Sequence, residues 1–303
     1  MTITETKVII IGAGGLLGPH IVSALDTHPR FAVSILARKS SQSIFPSHLP
    51  VYRIADSYPE PELLKAFQGH DVVISTITAQ GTGTQQQKAF IDAAVKAGVR
   101  RFIPSEFVPD MRNEKALELL PAFVKPKLEV IDYLKSKEKE GLQWTAFVTG
   151  LFVDLVIGPF LGYSLTERRA TLLNDGLDRW SGTTCATTAL AVRNALLHPQ
   201  LTINKRLFIA SVTVTQREIL AALERATATK WQVTYVDAED EKDAAFRELW
   251  NGNPRGIKKL IKHMACVEGY SGNYLQLEKS ANNLLSLPSE SLDEIVARVV
   301  GRI

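Results

Sequence analysis

The sequence predicts a doubly wound α/β fold around a parallel sheet, and three observations predict it. Apolar, β-branched runs without polar alternation stand at residues 8–11, 31–37 and 71–77, the pattern of strands covered on both faces. Amphipathic helical stretches alternate with them. The first run ends in Gly12-Ala-Gly-Gly-Leu-Leu-Gly18 and passes straight into a helical pattern through His20, Ile21, Val22, Ala24 and Leu25. Strand, glycine turn and helix in that order describe a Rossmann-type nucleotide-binding unit.

Position 17 is Leu17, so the spacing is G-x-x-G-x-x-G, with Gly14 an extra glycine inside it. Gly12 turns the chain, Gly15 lets backbone N–H groups approach a pyrophosphate, and Gly18 lets the helix pack on the strand. Gly14, Leu16 and Leu17 complete the cradle, and the helix N-terminus faces the anion with its positive dipole end. The second run ends at Arg38-Lys39, twenty positions beyond Gly18. An acidic residue there would bond the ribose 2′-hydroxyl of NAD, whereas a guanidinium grips a 2′-phosphate. The expected cofactor is NADP(H).

Further strands are expected at 51–54, 99–103 and 143–148, with helices at 60–67 and 85–97. Ligands of such sheets lie beyond the carboxyl ends of the strands, which places Thr76, Ile77 and Thr78 along the cofactor. Residues 85–87 are three glutamines, read as a solvated first turn from which one reaches the cofactor. Beyond residue 150 the chain leaves the first layer. Residues 172–176 carry a hairpin turn signal, and 180–183, 187–197 and 206–209 read as strand, helix and strand that rejoin it.

The 303 residues suffice for one large α/β unit or a two-part fold. A net charge of +3 with scattered Lys and Arg argues against a nucleic-acid partner. Two cysteines, Cys185 and Cys266, make no disulfide framework and no metal site. The longest apolar stretch, 142–162, is broken by Gly150, Asp154, Gly158 and Pro159, so no membrane span is expected. Residues 8–11 are too short for a signal peptide and run into the glycines, which points to a cytoplasmic setting.

The glycine turn, Arg38, Asp71-Val-Val-Ile-Ser-Thr76, Gln87 and Ala97-Gly-Val-Arg-Arg-Phe-Ile-Pro-Ser-Glu-Phe107 together resemble the NmrA-like and isoflavone-reductase-like group of atypical short-chain dehydrogenases. The similarity runs through Trp144–Gly150 to Leu284–Pro288. It implies an NADP-binding domain over residues 1–150, with returning segments at about 180–212. A smaller substrate domain would occupy 151–179 and 213–303. Gln87, Ser105, Phe107, Thr149, Gly150 and Phe152 would join the cofactor site, and Phe107, Val108, Phe152 and Asp154 would meet the substrate. Val108 stands where the family usually has glycine.

Members of the group that reduce substrates use a lysine on the helix after the Pro-Ser-Glu-Phe loop. Lys125 and Lys127 compete for that place. The family spacing from Ser105 favours Lys127, and so does helical spacing, which puts Lys127 on the face of Val130, Ile131 and Leu134. Lys127 would therefore be catalytic and would touch the cofactor. Phe123, four residues earlier, has no proton to donate where ordinary dehydrogenases have tyrosine. A literal Tyr133-x-x-x-Lys137 reads as a solvated helix end. The resemblance implies an NADPH-dependent reductase of a small aromatic or polyketide-like molecule, with a homodimer admitted but not required. Two alternatives stand beside it: a redox-sensing regulator that binds NADP and a protein partner without turnover, and a non-redox isomerase or cyclase.

Overall fold

The computed structural model describes residues 5–77 and 84–301. The chain divides into two compact units, the first within Met1–Glu106, Lys125–Phe147 and Thr188–Leu207. Its elements alternate as the apolar runs require: β1 (Thr6–Ile11), α1 (Gly18–Asp26), β2 (Phe31–Arg38), β3 (Val51–Ile54), α2 (Glu60–Phe67), β4 (Val72–Ser75), α3 (Thr84–Lys96) and β5 (Arg101–Ile103). A short helix α4 (Glu114–Leu119), capped by Asn113, counts with the second unit and escaped the sequence reading. Then come α5 (Pro121–Lys137) and β6 (Gln143–Val148).

The seven-stranded sheet runs Lys205–Phe208, β6, β5, β4, β1, β2, β3. Every neighbouring pair from β6 to β3 is parallel. Chain order reverses between β1 and β4, where an open α/β sheet leaves its ligand crevice. Ile9, Ile11, Val73, Phe90 and Phe102 are fully buried between sheet and helices. Each such side chain contributes about 1.5–3 kcal/mol of burial energy. That rigidity holds the strand ends that carry the site.

The second unit comprises Phe107–Val124, Val148–Thr187 and Phe208–Ile303. It holds two three-stranded sheets: Val212–Val214, Trp180–Thr183 and Leu151–Phe152 in one, and Gln232–Val236, Arg169–Leu173 and Tyr163–Ser164 in the other. Trp180, Tyr163 and Trp231 lie in its core, and the Tyr163 hydroxyl donates to the Gln216 carbonyl at 2.7 Å. Three expectations change here. Residues 107–124 leave the first unit, and of the returning segments only 188–207 rejoin it. The strand Trp180–Thr183 pairs with Leu151–Phe152 and Val212–Val214, not with the large sheet. Asn174 and Gly176 do turn the chain with positive φ, but the strands on either side lie in different sheets. The hairpin instead joins Tyr163–Ser164 to Arg169–Leu173. Among the described residues, no helix is long and apolar enough to cross a membrane.

Candidate active site

The glycine turn closes on itself. The Gly15 N–H donates to the Gly12 carbonyl at 2.9 Å, and Gly12 has φ +86°, a conformation that L side chains rarely adopt. A Cβ on Gly18 would run into the Gly12 carbonyl and stand 2.6 Å from the Ala13 backbone, so the close approach of helix to strand needs a glycine. Leu17 is the N-cap of α1 and no side chain caps the helix; its first turn carries no acid. The end of α1 is thus open to an anion. The Leu17 side chain is buried and that of Leu16 exposed, so the pair offers the cradle backbone groups only. Gly14 lies against Ser43 and Phe45, where a side chain would collide.

Arg38 and Lys39 both stand exposed at the end of β2. Lys39 lies 3.9 Å from Glu62. Arg53 on β3 donates to the Ser41 carbonyl at 3.1 Å, and with Ser41, Gln42 and Ser43 it lines an open cavity of about 450 Å³. Asp56, which the sequence reading did not single out, faces the same corner. The Ser40 hydroxyl and N–H, joined by the charge of Arg38, hold its carboxyl below the usual range.

At the switch point the Thr76 hydroxyl and N–H both donate to the Ile11 carbonyl at 2.9 Å. Thr78 lies outside the described residues. Ile77 is half-buried, and its carbonyl accepts the Ser105 hydroxyl at 2.6 Å. Of the three glutamines only Gln87 turns inward; it is 8% exposed and donates to the Ser75 hydroxyl at 2.9 Å. Its carbonyl oxygen is buried and has no hydrogen-bond partner among the described residues, next to the end of β4.

Lys127 is buried, 9% exposed, whereas Lys125 on the same helix is exposed. Its amine donates to the Ser105 carbonyl and, at 3.3 Å, to the Glu106 carbonyl. Val130, Ile131 and Leu134 share its inward face. Pro126 sits inside α5 and removes one rung of the helical hydrogen-bond ladder just before Lys127. Burial pushes the Lys127 amine below the usual lysine range, against the pull of the Glu106 carboxylate. Glu106 itself is 1% exposed and lies 3.4 Å from Arg206. Nothing in the local sequence marks it for a role.

Tyr133 and Lys137 are not a solvated helix end. The Tyr133 hydroxyl donates to Asp92 on α3 at 2.6 Å, and Lys137 pairs with Asp92 and Glu140 at 3.0 Å each. This Tyr-x-x-x-Lys pair fastens α5 to α3.

Within the second unit, Phe107 is buried with φ +21°, and Val108 bridges Val148. The Thr149 N–H donates to the Val108 carbonyl at 3.1 Å, and the Thr149 carbonyl accepts the Thr183 hydroxyl at 2.7 Å. Gly150 has φ +64° and packs on the Ser181 carbonyl. Phe152 is half-buried opposite Thr183. Asp154 is buried and accepts the Cys185 N–H at 3.2 Å.

The sequence pattern of the NmrA-like family matches residues 4–286. An Aspergillus flavus protein named oxidoreductase aprR is 54% identical over 295 residues, covering 97% of this chain and 98% of that one. The isoflavone reductase homolog A622 of Nicotiana glauca is 31% identical over 287 residues, 89% of each chain. Among solved structures, an isoflavone reductase superposes with a TM-score of 0.78 at 22% identity, covering 97% of this chain and 99% of that one. AtPrR2 with NADP+ and (+)pinoresinol gives 0.79 at 20% identity over the same shares. These superpositions establish a common fold.

Proposed function

The chain belongs to the NmrA-like family, and from that membership we propose that it is an NADPH-dependent reductase of a small aromatic or polyketide-like molecule. The reading is supported by relatives named oxidoreductases and isoflavone reductase homologs. A solved structure of the same fold was determined with NADP+. The residues present fit such a dinucleotide. The glycine turn has no room for side chains, and among the described residues no side chain caps the N-terminus of α1 and none pairs with the buried carbonyl oxygen of Gln87.

In this reading the glycine turn (Gly12, Gly14, Gly15, Gly18, with the backbone of Leu16 and Leu17) holds the pyrophosphate. Arg38 and Lys39 hold the 2′-phosphate. Thr76, Ile77, Gln87 and Ser105 line the middle of the cofactor; Phe107, Thr149, Gly150 and Phe152 are further positions that the family resemblance assigns to it. When bound, NADPH supplies a hydride. Lys127 manages the proton that must follow it, as donor from its ammonium or through a water, because Phe123 has no proton to give. Phe107, Val108, Phe152 and Asp154 are the positions that the family resemblance assigns to the substrate.

The observation that carries the proposal is the buried amine of Lys127, which the sensor alternative has no use for. The test follows NADPH oxidation against a panel of enones, ketones and quinones, with Lys127→Met alongside. Turnover is expected to vanish in the variant while NADPH still binds. Turnover at the wild-type rate in Lys127→Met removes the lysine from the mechanism, and no turnover by wild type with any class favours the sensor.

A further inference from the structure

Lys127 is not alone at the end of β5. The residue whose backbone carbonyl accepts from its amine at 3.3 Å, Glu106, also carries the carboxylate whose field acts on that amine. Glu106 is 1% exposed and Arg206 has a side chain 13% exposed, with 3.4 Å between the guanidinium and the carboxylate. Three ionisable groups therefore share a corner with almost no water to screen them.

We propose that Glu106 is a positioning residue for Lys127, the counter-charge that sets how readily the amine holds its proton, and that Arg206 decides how much of that charge the lysine receives. The proposal deepens the reading of Lys127 given above. The physical case starts from desolvation. A buried ammonium with only carbonyl acceptors loses its hydration, so burial favours the neutral amine. The negative charge of Glu106 opposes that loss. Arg206 competes for the same carboxylate from the strand Lys205–Phe208 and holds it away from acting on the lysine alone. Among the described residues, Glu106 is the charged group that acts on the Lys127 amine. Two cations thus bear on one carboxylate, so a change at either neighbour moves the proton affinity of the amine.

Opposite responses to two neighbouring substitutions distinguish this arrangement from a purely structural ion pair. Glu106→Gln removes the counter-charge and lowers the pH at which Lys127 titrates. Arg206→Gln frees the carboxylate and raises it. The probe is the 13Cε and 15Nζ resonance of Lys127 in protein carrying labelled lysine, with no cofactor added, assigned by its disappearance in Lys127→Met. Midpoints are expected to move in opposite directions by about one pH unit each, the lower end of the effect of a nearby opposite charge. Movement in the same direction, or no movement in either variant, overturns the proposal. Should Glu106→Gln fail to fold, the Arg206→Gln arm decides: an upward shift supports the assignment and an unchanged midpoint defeats it. The titration needs no substrate, so it stands or falls separately from the reductase reading.

Discussion

The Thr76 hydroxyl donates to the Ile11 carbonyl at 2.9 Å, the same carbonyl that accepts the Thr76 N–H, and so clamps the end of β4 to the end of β1. The clamp lies at the point where strand order reverses. A Cβ built on Gly12 would stand 2.7 Å from that hydroxyl, so turn and clamp are packed as one piece.

Gly12→Ala is therefore expected to disturb both. The residue would have to hold φ +86°, which costs an L side chain about 1–2 kcal/mol, and its methyl would displace the Thr76 hydroxyl. Urea denaturation should show a loss of about 2 kcal/mol or more, and NADPH affinity should fall with it. Wild-type stability with wild-type NADPH binding would show that the turn is not the cradle.

Arg38→Asp tests the identity of the cofactor. An acid at the end of β2 repels a 2′-phosphate and accepts from a 2′-hydroxyl. NADPH affinity is expected to fall by about ten- to a hundredfold, the worth of one charge-assisted contact, while NADH affinity holds or rises. Fluorescence titration with both reduced cofactors reads the ratio directly. Equal losses for the two would leave Arg38 without a role in discrimination.

Much of this corner of the molecule was legible in the sequence, and for a physical reason. Strands of a doubly covered parallel sheet are apolar throughout, so residues 8–11 announce themselves without any knowledge of their neighbours. The second unit gives no such signal. Its strands are two to five residues long, and Trp180–Thr183 pairs antiparallel with Val212–Val214, a register that no local pattern encodes. The Asn174–Gly176 turn was visible, but a turn does not say which sheet the next strand joins. At the site, the inward face of Lys127 followed from helical spacing, whereas Glu106 depends on Arg206, a hundred positions further on. Helical spacing puts Gln87 on the buried face of Phe90, Ile91 and Ala94, but its partner Ser75 lies on another element and leaves no local signal.

Glu290 predicts an acid-sensitive lock in the second unit. One carboxylate oxygen accepts the hydroxyls of Thr184 and Thr187 at 2.7 Å and of Ser211 at 2.6 Å, and Arg298 pairs with the other. Burial pushes this carboxyl up, but the three hydroxyls and the guanidinium outweigh it, and the group ends below its usual range. A carboxyl depressed on folding contributes stability above its unfolded pKa that is lost as pH falls through the folded one. Glu290→Gln should cost about 2 kcal/mol at pH 7, with the deficit shrinking as the pH is lowered below about 4. Urea denaturation of both proteins across that range checks it, and a deficit independent of pH would show that shape, not charge, holds the lock.

Arg101 predicts the opposite kind of result. It opens β5, is 4% exposed, and donates to the hydroxyls of Thr145 and Thr202; among the described residues it meets no carboxylate, and two of its nitrogens have no hydrogen-bond partner. Desolvation alone pushes its guanidinium down to about 10. A buried cation with no counter-ion among the described residues costs more than its hydrogen bonds recover. Both threonine hydroxyls have backbone acceptors of their own: Thr145 donates to the Thr202 carbonyl and Thr202 to the Ala195 carbonyl, each at 2.7 Å. Removing the guanidinium therefore strands no donor. Arg101→Met keeps the length of the chain and fills the same space with apolar atoms, so stability by chemical denaturation should stay level or rise by up to about 2 kcal/mol. A loss of comparable size would mean that the guanidinium is doing electrostatic work for a partner outside the two threonines.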